Sequence, residues 1–467
     1  MHIYFLAKIQ FFLFNFSEQS TSNLPIIYYR MDHVMDHPLF HQRFTILQDR
    51  FSKGQISSYE AELVLEDIKS DVGKTLEKAL WKQLPNDVID NIIPCSCGNY
   101  LVYKGTLTNT FRTFHAQITF SRRYFTCSQC NRSLFPLDHI LGLEHVERFS
   151  PRVVAVIGRL AAEQSYNKTR CLVRDLFGFK ISNTAVENIA EKLGQDILSQ
   201  QPCHELTADD AIECNRFYIF IDGKFVPFRS PERKGPRVFH EVKVTVVVKE
   251  WLNGKQEIFY LAKYANSQEF GHYMDLHVQG LGILKAKEVI VVANGADWIW
   301  NWVSDTCPPE KTVRINDWYH SVEYSVEAIK WLTRKEEVKQ TPYYRELIGL
   351  LEVGNIYELI DVLTRWGKSN KVLNDKDNPI RKAITYYTNG KDRMAYDEYE
   401  KKGYIIGSGR VEGANKSIID ARFCQSGMAW SEESINKIIA LRLLITNQRY
   451  KQFLCRWFRA TPDFAFI

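Results

Sequence analysis

An acid near the end of a buried strand is the first feature of this sequence that could do chemistry. The run Phe217 to Pro227, FYIFIDGKFVP, is apolar, aromatic and β-branched, the composition of a buried strand. Asp222 sits near its carboxyl end, directly before Gly223. A carboxylate there is costly unless it is paired, hydrogen-bonded or holding a cation. In open α/β sheets, ligands collect beyond the carboxyl ends of strands. The position therefore reads as a metal or reaction site. Two later stretches are its natural partners. Glu288 to Trp300, EVIVVANGADWIW, reads as a second buried strand running into a Gly-containing turn. Gly407 to Trp430 opens a helix that Ser408 or Gly409 can cap, and its first turns carry Glu412.

Strand-end Asp, strand-end polar residue and helix-borne Glu form a layout that resembles a ribonuclease-H-like catalytic core. Such a core implies two divalent metals about 3.5–4 Å apart, with carboxylates clamping the attacking and leaving oxygens of a phosphodiester. The motifs narrow the resemblance to the Kra group of bacterial insertion-sequence transposases, which use an Asp-Asp-Glu triad. That group has a strand ending in Asp-Gly, then a Gly-Asp-Gly-Ala turn with Trp-Ile-Trp, an Asp-x-Tyr-His segment, and Gly-Ser-Gly-x-Val-Glu opening the last helix. This chain has Asp222-Gly223, Gly295-Ala296 before Trp298-Ile299-Trp300, Asp317-Trp318-Tyr319-His320, and Gly407-Ser408-Gly409-Arg410-Val411-Glu412. The resemblance implies Asp222, position 294 and Glu412 as the catalytic set, with Asp222 and Glu412 holding magnesium. It also implies Asp317 and His320 as residues that support the ligands.

One position departs from the pattern. Ala293-Asn294 stands where the group has Gly-Asp. Asn offers a neutral carbonyl oxygen to a hard cation but gives up a negative charge, and Mg²⁺ is held mainly by carboxylates. The expectation is weak or absent catalysis in a decaying element copy. Asp297 is the alternative second acid, although it lies past the tight Gly turn. In the last helix, Lys416 lies four residues after Glu412 and so shares its face. Lys416 and Arg422 are candidates for holding a DNA backbone; the plainer reading is an intrahelical Glu412–Lys416 pair on a solvated face.

Cysteines mark a second centre. Cys95 and Cys97, with Cys127 and Cys130, make a four-thiolate tetrahedral set for structural zinc, although the first pair is spaced C-x-C rather than C-x-x-C. Four buried free thiols are the alternative. Alternating Thr and aromatic residues between the pairs predict the strands of a zinc ribbon, which would present Arg122 and Arg123 to DNA phosphates. Beyond it, Ser150-Pro151 starts a helix, a second ends at Gly178, and Ser182 to Thr184 cap a third. Two short helices and a capped third read as a helix-turn-helix or as a plain packing module. On the first reading the third helix meets base edges, and Lys168, Arg170, Arg174 and Lys180 bind phosphates.

The rest of the chain must position these groups. Its 467 residues allow two to four domains. A hydrophobic content of 45% and a charged content of 25% are those of a soluble globular protein. A net charge of +5 permits nucleic-acid binding without demanding it. Clustered cysteines favour metal in a reducing compartment, so the expected location is cytoplasmic and nucleoid-associated. The apolar opening, MHIYFLAKIQFFLFNF, is too short to span a bilayer, which needs roughly 20 residues. Residues 1–30 are therefore expected to be a spurious extension or a disordered tail.

The expected fold class is α/β and multi-domain. A helical region spans 31–90, a zinc-ribbon-like module 91–140 and a helix-turn-helix 148–200. A ribonuclease-H-like core of 213–318 plus 404–450 is interrupted by a helical insertion at 319–403 and followed by a tail at 451–467. The expected cofactors are two Mg²⁺ or Mn²⁺ ions and one structural Zn²⁺. The resemblance implies a transposase acting on double-stranded DNA, as a homodimer or larger assembly and without a membrane. An inactive DNA-binding relic or regulator, and a nuclease unrelated to transposition, are the other readings.

Overall fold

The structure is a computed structural model that describes residues 38–84, 91–144, 147–200, 206–230, 232 and 235–460. The segment 1–30, read from sequence as an extension or tail, lies outside the described residues. The chain divides into two compact units: Met1–Leu84 with His115–Phe120, and Pro85–Phe114 with Ser121–Ile467.

In the first unit, helices α1 (Pro38–Ser52) and α2 (Ser58–Leu80) bury Leu47, Ala61 and Ile68. A capping box fixes the start of α2: the Ser57 hydroxyl accepts from Glu60 N–H, and the Glu60 carboxylate accepts from Ser57 N–H at 2.9 Å.

A ribbon of strands β1 (Ile92–Pro94), β2 (Tyr100–Arg112), β3 (Gln117–Cys127) and β4 (Ser133–Leu134), arranged in that order, belongs to the second unit except for the start of β3, up to Phe120. A short helix α3 (Pro136–Ile140) follows. Next come α4 (Pro151–Glu163), α5 (Tyr166–Phe177) and α6 (Asn183–Ser199). Ser150, Ser165 and Ser182 each cap one of these helices by accepting a backbone N–H. Gly178 ends α5 in the left-handed conformation, at φ 69°. All three helices fall where the sequence placed them.

The centre of the unit is a five-stranded sheet of β5 (Arg216–Phe228), β6 (Val238–Glu250), β7 (Gln256–Lys263), β8 (Glu288–Ala293) and β9 (Thr312–Asn316). Its order is β7-β6-β5-β8-β9. The β5–β6 and β6–β7 pairs are antiparallel, whereas β8 and β9 run parallel to β5. Both faces are covered, which explains the continuous apolar runs of β5, β6 and β8. Phe217, Ile219, Ile221, Val289, Val291 and Ala293 share one core with α7 (Ser267–Gly280) and α8 (Asp297–Thr306). Tyr218, Phe220, Val244, Val246, Ile290 and Val292 face the other core, which also takes in residues of α4 and α6.

After β9 the chain forms a run of helices: α9 (Trp318–Thr333), α10 (Pro342–Glu352), α11 (Ile356–Ser369), α12 (Pro379–Gly390) and α13 (Tyr396–Lys401). Buried hydroxyls hold it in place. Tyr396 donates to the carbonyl of Asn316 at the end of β9 at 2.9 Å, and within the run Tyr387 donates to that of Ser321 at 2.5 Å. The chain then returns through α14 (Gly409–Ala414), a π-helical turn (Asn415–Asp420), α15 (Ala421–Phe423), α16 (Glu432–Thr446) and α17 (Tyr450–Trp457). The segment read as a tail from residue 451 is corrected in part. Helix α17 buries Tyr450, Phe453, Leu454 and Trp457 and so belongs to the core.

Candidate functional site

Sheet register assembles the site. Ile221 on β5 pairs with Ala293 on β8, and Ala293 pairs with Asn316 on β9. The next residues, Asp222, Asn294 and Asp317, therefore stand at one level: Asn294 and Asp317 just past the carboxyl ends of β8 and β9, and Asp222 within β5, where the parallel pairing with β8 ends and the strand runs on beside β6 to Phe228. Strand alternation puts them on the face of Tyr218, Phe220, Ile290, Val292 and Ile315. The Asp317 N–H extends the ladder by donating to the Ala293 carbonyl at 2.9 Å.

Asp222 accepts a hydrogen bond from Asn415 Nδ2 at 2.8 Å. Burial raises its carboxyl above the usual range, against the Gly223 N–H and the charge of His320, while the charge of Asp317 adds to the rise. Asn415 is itself buried, and its Oδ1 has no hydrogen-bond partner. Sequence reasoning missed this residue, which lies three positions after Glu412 at the end of α14, where its N–H bonds the carbonyls of Val411 and Glu412. Lys416 is exposed, and the Glu412 carboxylate accepts from Ser408.

Asp317 is fully buried and saturated. Its Oδ1 accepts from Ser408 N–H at 2.6 Å; its Oδ2 accepts from His320 N–H at 3.0 Å and pairs with His320 Nδ1 at 2.5 Å. Burial pushes this carboxyl up, but the His320 bonds and charge outweigh it and hold the group below the usual range. His320 is raised in turn, first by its hydrogen bond to Asp317. The Ser408 hydroxyl donates to Glu412 Oε1 at 2.8 Å. Asp317 thus caps α9 and anchors the segment that carries Glu412. The approach is close at Gly407, where an added Cβ would stand 2.6 Å from the Tyr319 ring.

Two buried arginines hold this segment from behind. Arg442 donates to the carbonyls of Ile418 at 2.7 Å, Ser417 at 2.5 Å and Ala162 at 2.8 Å. These bonds serve carbonyls of the π turn and of the last turn of α4, where orphan acceptors are expected. Arg422 donates to the Ala161 carbonyl at 2.9 Å and lies over the Tyr166 and Trp430 rings. Arg422 is only 1% exposed, so its expected role on a DNA backbone is corrected: it is a core strut.

The other sequence candidates fall into place around this site. Asn294 Oδ1 accepts from Ala296 N–H at 3.2 Å, which ties the amide to its own turn. Asp297 is exposed in the first turn of α8, past that turn, while Asp317 is the carboxylate level with Asn294. Arg122 is ion-paired with Asp138 and stacked on Phe135 at 3.9 Å, so its guanidinium is committed within the ribbon. Arg123 lies 4.7 Å over Tyr103 and bonds Asn91. Lys168, Arg174 and Lys180 are exposed; Arg174 pairs with Asp175 at 2.7 Å, and Arg170 bonds Asn167.

The cysteines converge. The sulfurs of Cys95, Cys97, Cys127 and Cys130 all lie within 4.8 Å of one another, with Cys95–Cys130 and Cys97–Cys127 each at 3.6 Å. The set could hold a metal ion. Cys127 ends β3, and the backbone N–H of Cys130 holds its thiol down to about 7.

No helix among the described residues is long and apolar enough to cross a membrane. No curated protein matches the chain. Among solved structures, a Drosophila P element transposase strand transfer complex aligns at 11% identity over 65% of this chain and 80% of that one, with a TM-score of 0.25. A superposition that loose carries no argument about fold or function. A family model, by contrast, matches residues 61–450, which include the ribbon, the helical triad, the sheet and the returning helices. The chain belongs to the uncharacterised protein family UPF0236.

Proposed function

We propose that this protein derives from an insertion-sequence transposase of the Kra type: it binds the DNA of element ends, and its metal-dependent strand cleavage and transfer are impaired by Asn294. The observation that carries the reading is the alignment of Asp222, within β5, with Asn294 and Asp317 at the ends of β8 and β9, and the helix of Glu412 tied to Asp317 through Ser408. The sheet order supports a ribonuclease-H-like core, because it places an antiparallel hairpin on one side of the acid-bearing strand and parallel strands on the other.

The donors fit a hard divalent cation such as Mg²⁺ or Mn²⁺. They are all oxygens, one of them the unpartnered Asn415 Oδ1 beside Asp222, and Asp222 carries a burial penalty that a cation would relieve. Asp222, Glu412 and Asn415 would hold the ion, which when bound polarises a phosphodiester and activates the attacking oxygen. Asp317 positions Glu412 through Ser408 and orients the His320 ring. Asn294 supplies shape without charge, which weakens the second ion of a two-metal pair.

Zinc is the proposed ion of the ribbon. Thiolates about 2.3 Å from a tetrahedral zinc stand about 3.8 Å apart, close to the 3.6 Å pairs here. The proposed partner is double-stranded DNA, read by the exposed start of α6 and flanked by Lys168 and Lys180, with two chains bringing two ends together.

A second reading is a DNA-binding relic without catalysis. It is favoured by the Asn294 amide, whose oxygen is occupied by its own turn. Cleavage of DNA carrying the element's ends, with Mg²⁺ or Mn²⁺, separates the two. Asn294→Asp is expected to raise cleavage at least tenfold, the scale of one charged ligand. Activity in the natural protein that Asp297→Ala abolishes would overturn the assignment of position 294. No cleavage by Asn294→Asp, with end binding intact, would leave the relic.

A further inference from the structure

Beside the strand ends the helical insertion opens a cavity of about 450 Å³. Lys376, Arg381, Lys382 and Arg393 line it, together with Asn316 and Gly295, and no Asp or Glu does. A cavity walled by four cations and no acid is electrostatically incomplete.

The acids nearby do not cancel this charge. Lys382 faces Asp377 at 3.6 Å, a carboxylate that is 99% exposed and so weakly coupled. Arg393 is half-buried and bonds only neutral acceptors, the Asn316 Oδ1 at 2.9 Å and the Asn389 carbonyl at 2.8 Å. Asp392 and Asp297 act on it through space and form no ion pair with it. Asn316 adds an independent sign. It is fully buried, yet its Nδ2 makes no hydrogen bond of normal geometry and has only the Tyr386 hydroxyl, also in the cavity wall, near enough to interact; the atom lies beside Gly390, another residue of that wall. A buried donor left short of a partner is destabilising, and an anionic oxygen in the cavity would relieve it.

We propose that this cavity binds phosphate oxyanions, two or more in succession, between the first turn of α12 and Arg393. Guanidinium forks and lysines around an open cleft suit phosphate oxygens. Asn316 and Gly295 are chain neighbours of Asp317 and Asn294, so the cavity adjoins the strand-end site. The phosphates then have two possible sources, the backbone of a nucleic-acid strand running past Asp222 or a free polyphosphate. The phosphate chemistry stands on the cavity alone. Only the strand backbone as its source rests on the function proposed above.

The test uses the full chain and measures binding rather than cleavage, so a catalytically dead protein still answers it. Inorganic tripolyphosphate is titrated calorimetrically, and a fluorescent oligonucleotide duplex is titrated by polarisation. The variants are Arg381→Gln with Lys382→Gln in the cavity, and Lys335→Gln with Lys339→Gln elsewhere in the insertion, each checked by its melting temperature. The cavity pair is expected to weaken tripolyphosphate binding about tenfold or more, the scale of lost charge-assisted hydrogen bonds. The control pair should change it less than about twofold, as general screening would. Displacement of the oligonucleotide by tripolyphosphate assigns the cavity to a strand backbone. Tripolyphosphate binding without displacement assigns it to a small polyphosphate, and upholds the cavity while counting against the strand path. No tripolyphosphate binding by the natural protein, or equal losses in the two pairs, overturns the proposal.

Discussion

The cysteine cluster and the strand-end acids are both small groups of potential ligands, but they are built in opposite ways. The four cysteines arrive as two local pairs on the turns of one ribbon, so chain geometry brings each pair together at once. Asp222, Asn294, Asp317, Glu412 and Asn415 come from five places along the chain and meet only through sheet register, a helix cap and a π turn. A site made of local pairs stands or falls with its ion. A site made of long-range elements depends on packing many residues away.

The largest effect should come from stripping the zinc proposed for the ribbon. A chelator, or Cys127→Ala, is expected to remove one zinc per chain by elemental analysis and to unfold β1–β4. The binding free energy of such structural sites is about 10–16 kcal/mol at neutral pH and is folding energy. Hydrogen exchange should show the five-stranded sheet still protected. Loss of protection in both regions would break the contrast.

Arg442→Met tests the other half. It leaves the carbonyls of Ser417, Ile418 and Ala162 without their donor inside the core, at about 3 kcal/mol or more. The expected result is a lower melting temperature with zinc content unchanged, and an Asp222–Asn415 contact that no longer forms. A variant as stable as the natural protein would show that the π turn needs no such support.

The smallest effect is a pH dependence at the clamp between Asp317 and His320. Because His320 is raised, the stability it contributes is fully present below its ordinary value of about 6.5 and is lost as pH rises through the raised one. Asp317 is depressed, so its share is present above about 3.9 and is lost as pH falls through its lowered value. Histidine proton resonances should titrate above 6.5 for His320 and fall below that in Asp317→Asn, where burial then dominates. An unchanged titration would remove Asp317 as the residue that orients the ring.

The sequence by itself determined the elements. Apolar β-branched runs marked β5 and β8, and Ser150, Gly178 and Ser182 marked ends of the three helices; these signals are local and set by backbone chemistry. It also marked Asp222, Glu412 and the four cysteines, because their neighbours along the chain announce them. The tertiary structure alone decided the rest. Asp317 stands level with Asn294 because register aligns three strands, while Asp297, nearer in sequence, lies past the turn. Asn415 reaches Asp222 because the returning helix packs against β5, a contact between residues 193 positions apart. Arg422 looks like a surface cation in the sequence, yet it is sealed in the core by rings and a carbonyl that the chain brings from far away. Spacing along a chain fixes direction only while the local geometry stays regular; past a sheet crossover, packing decides.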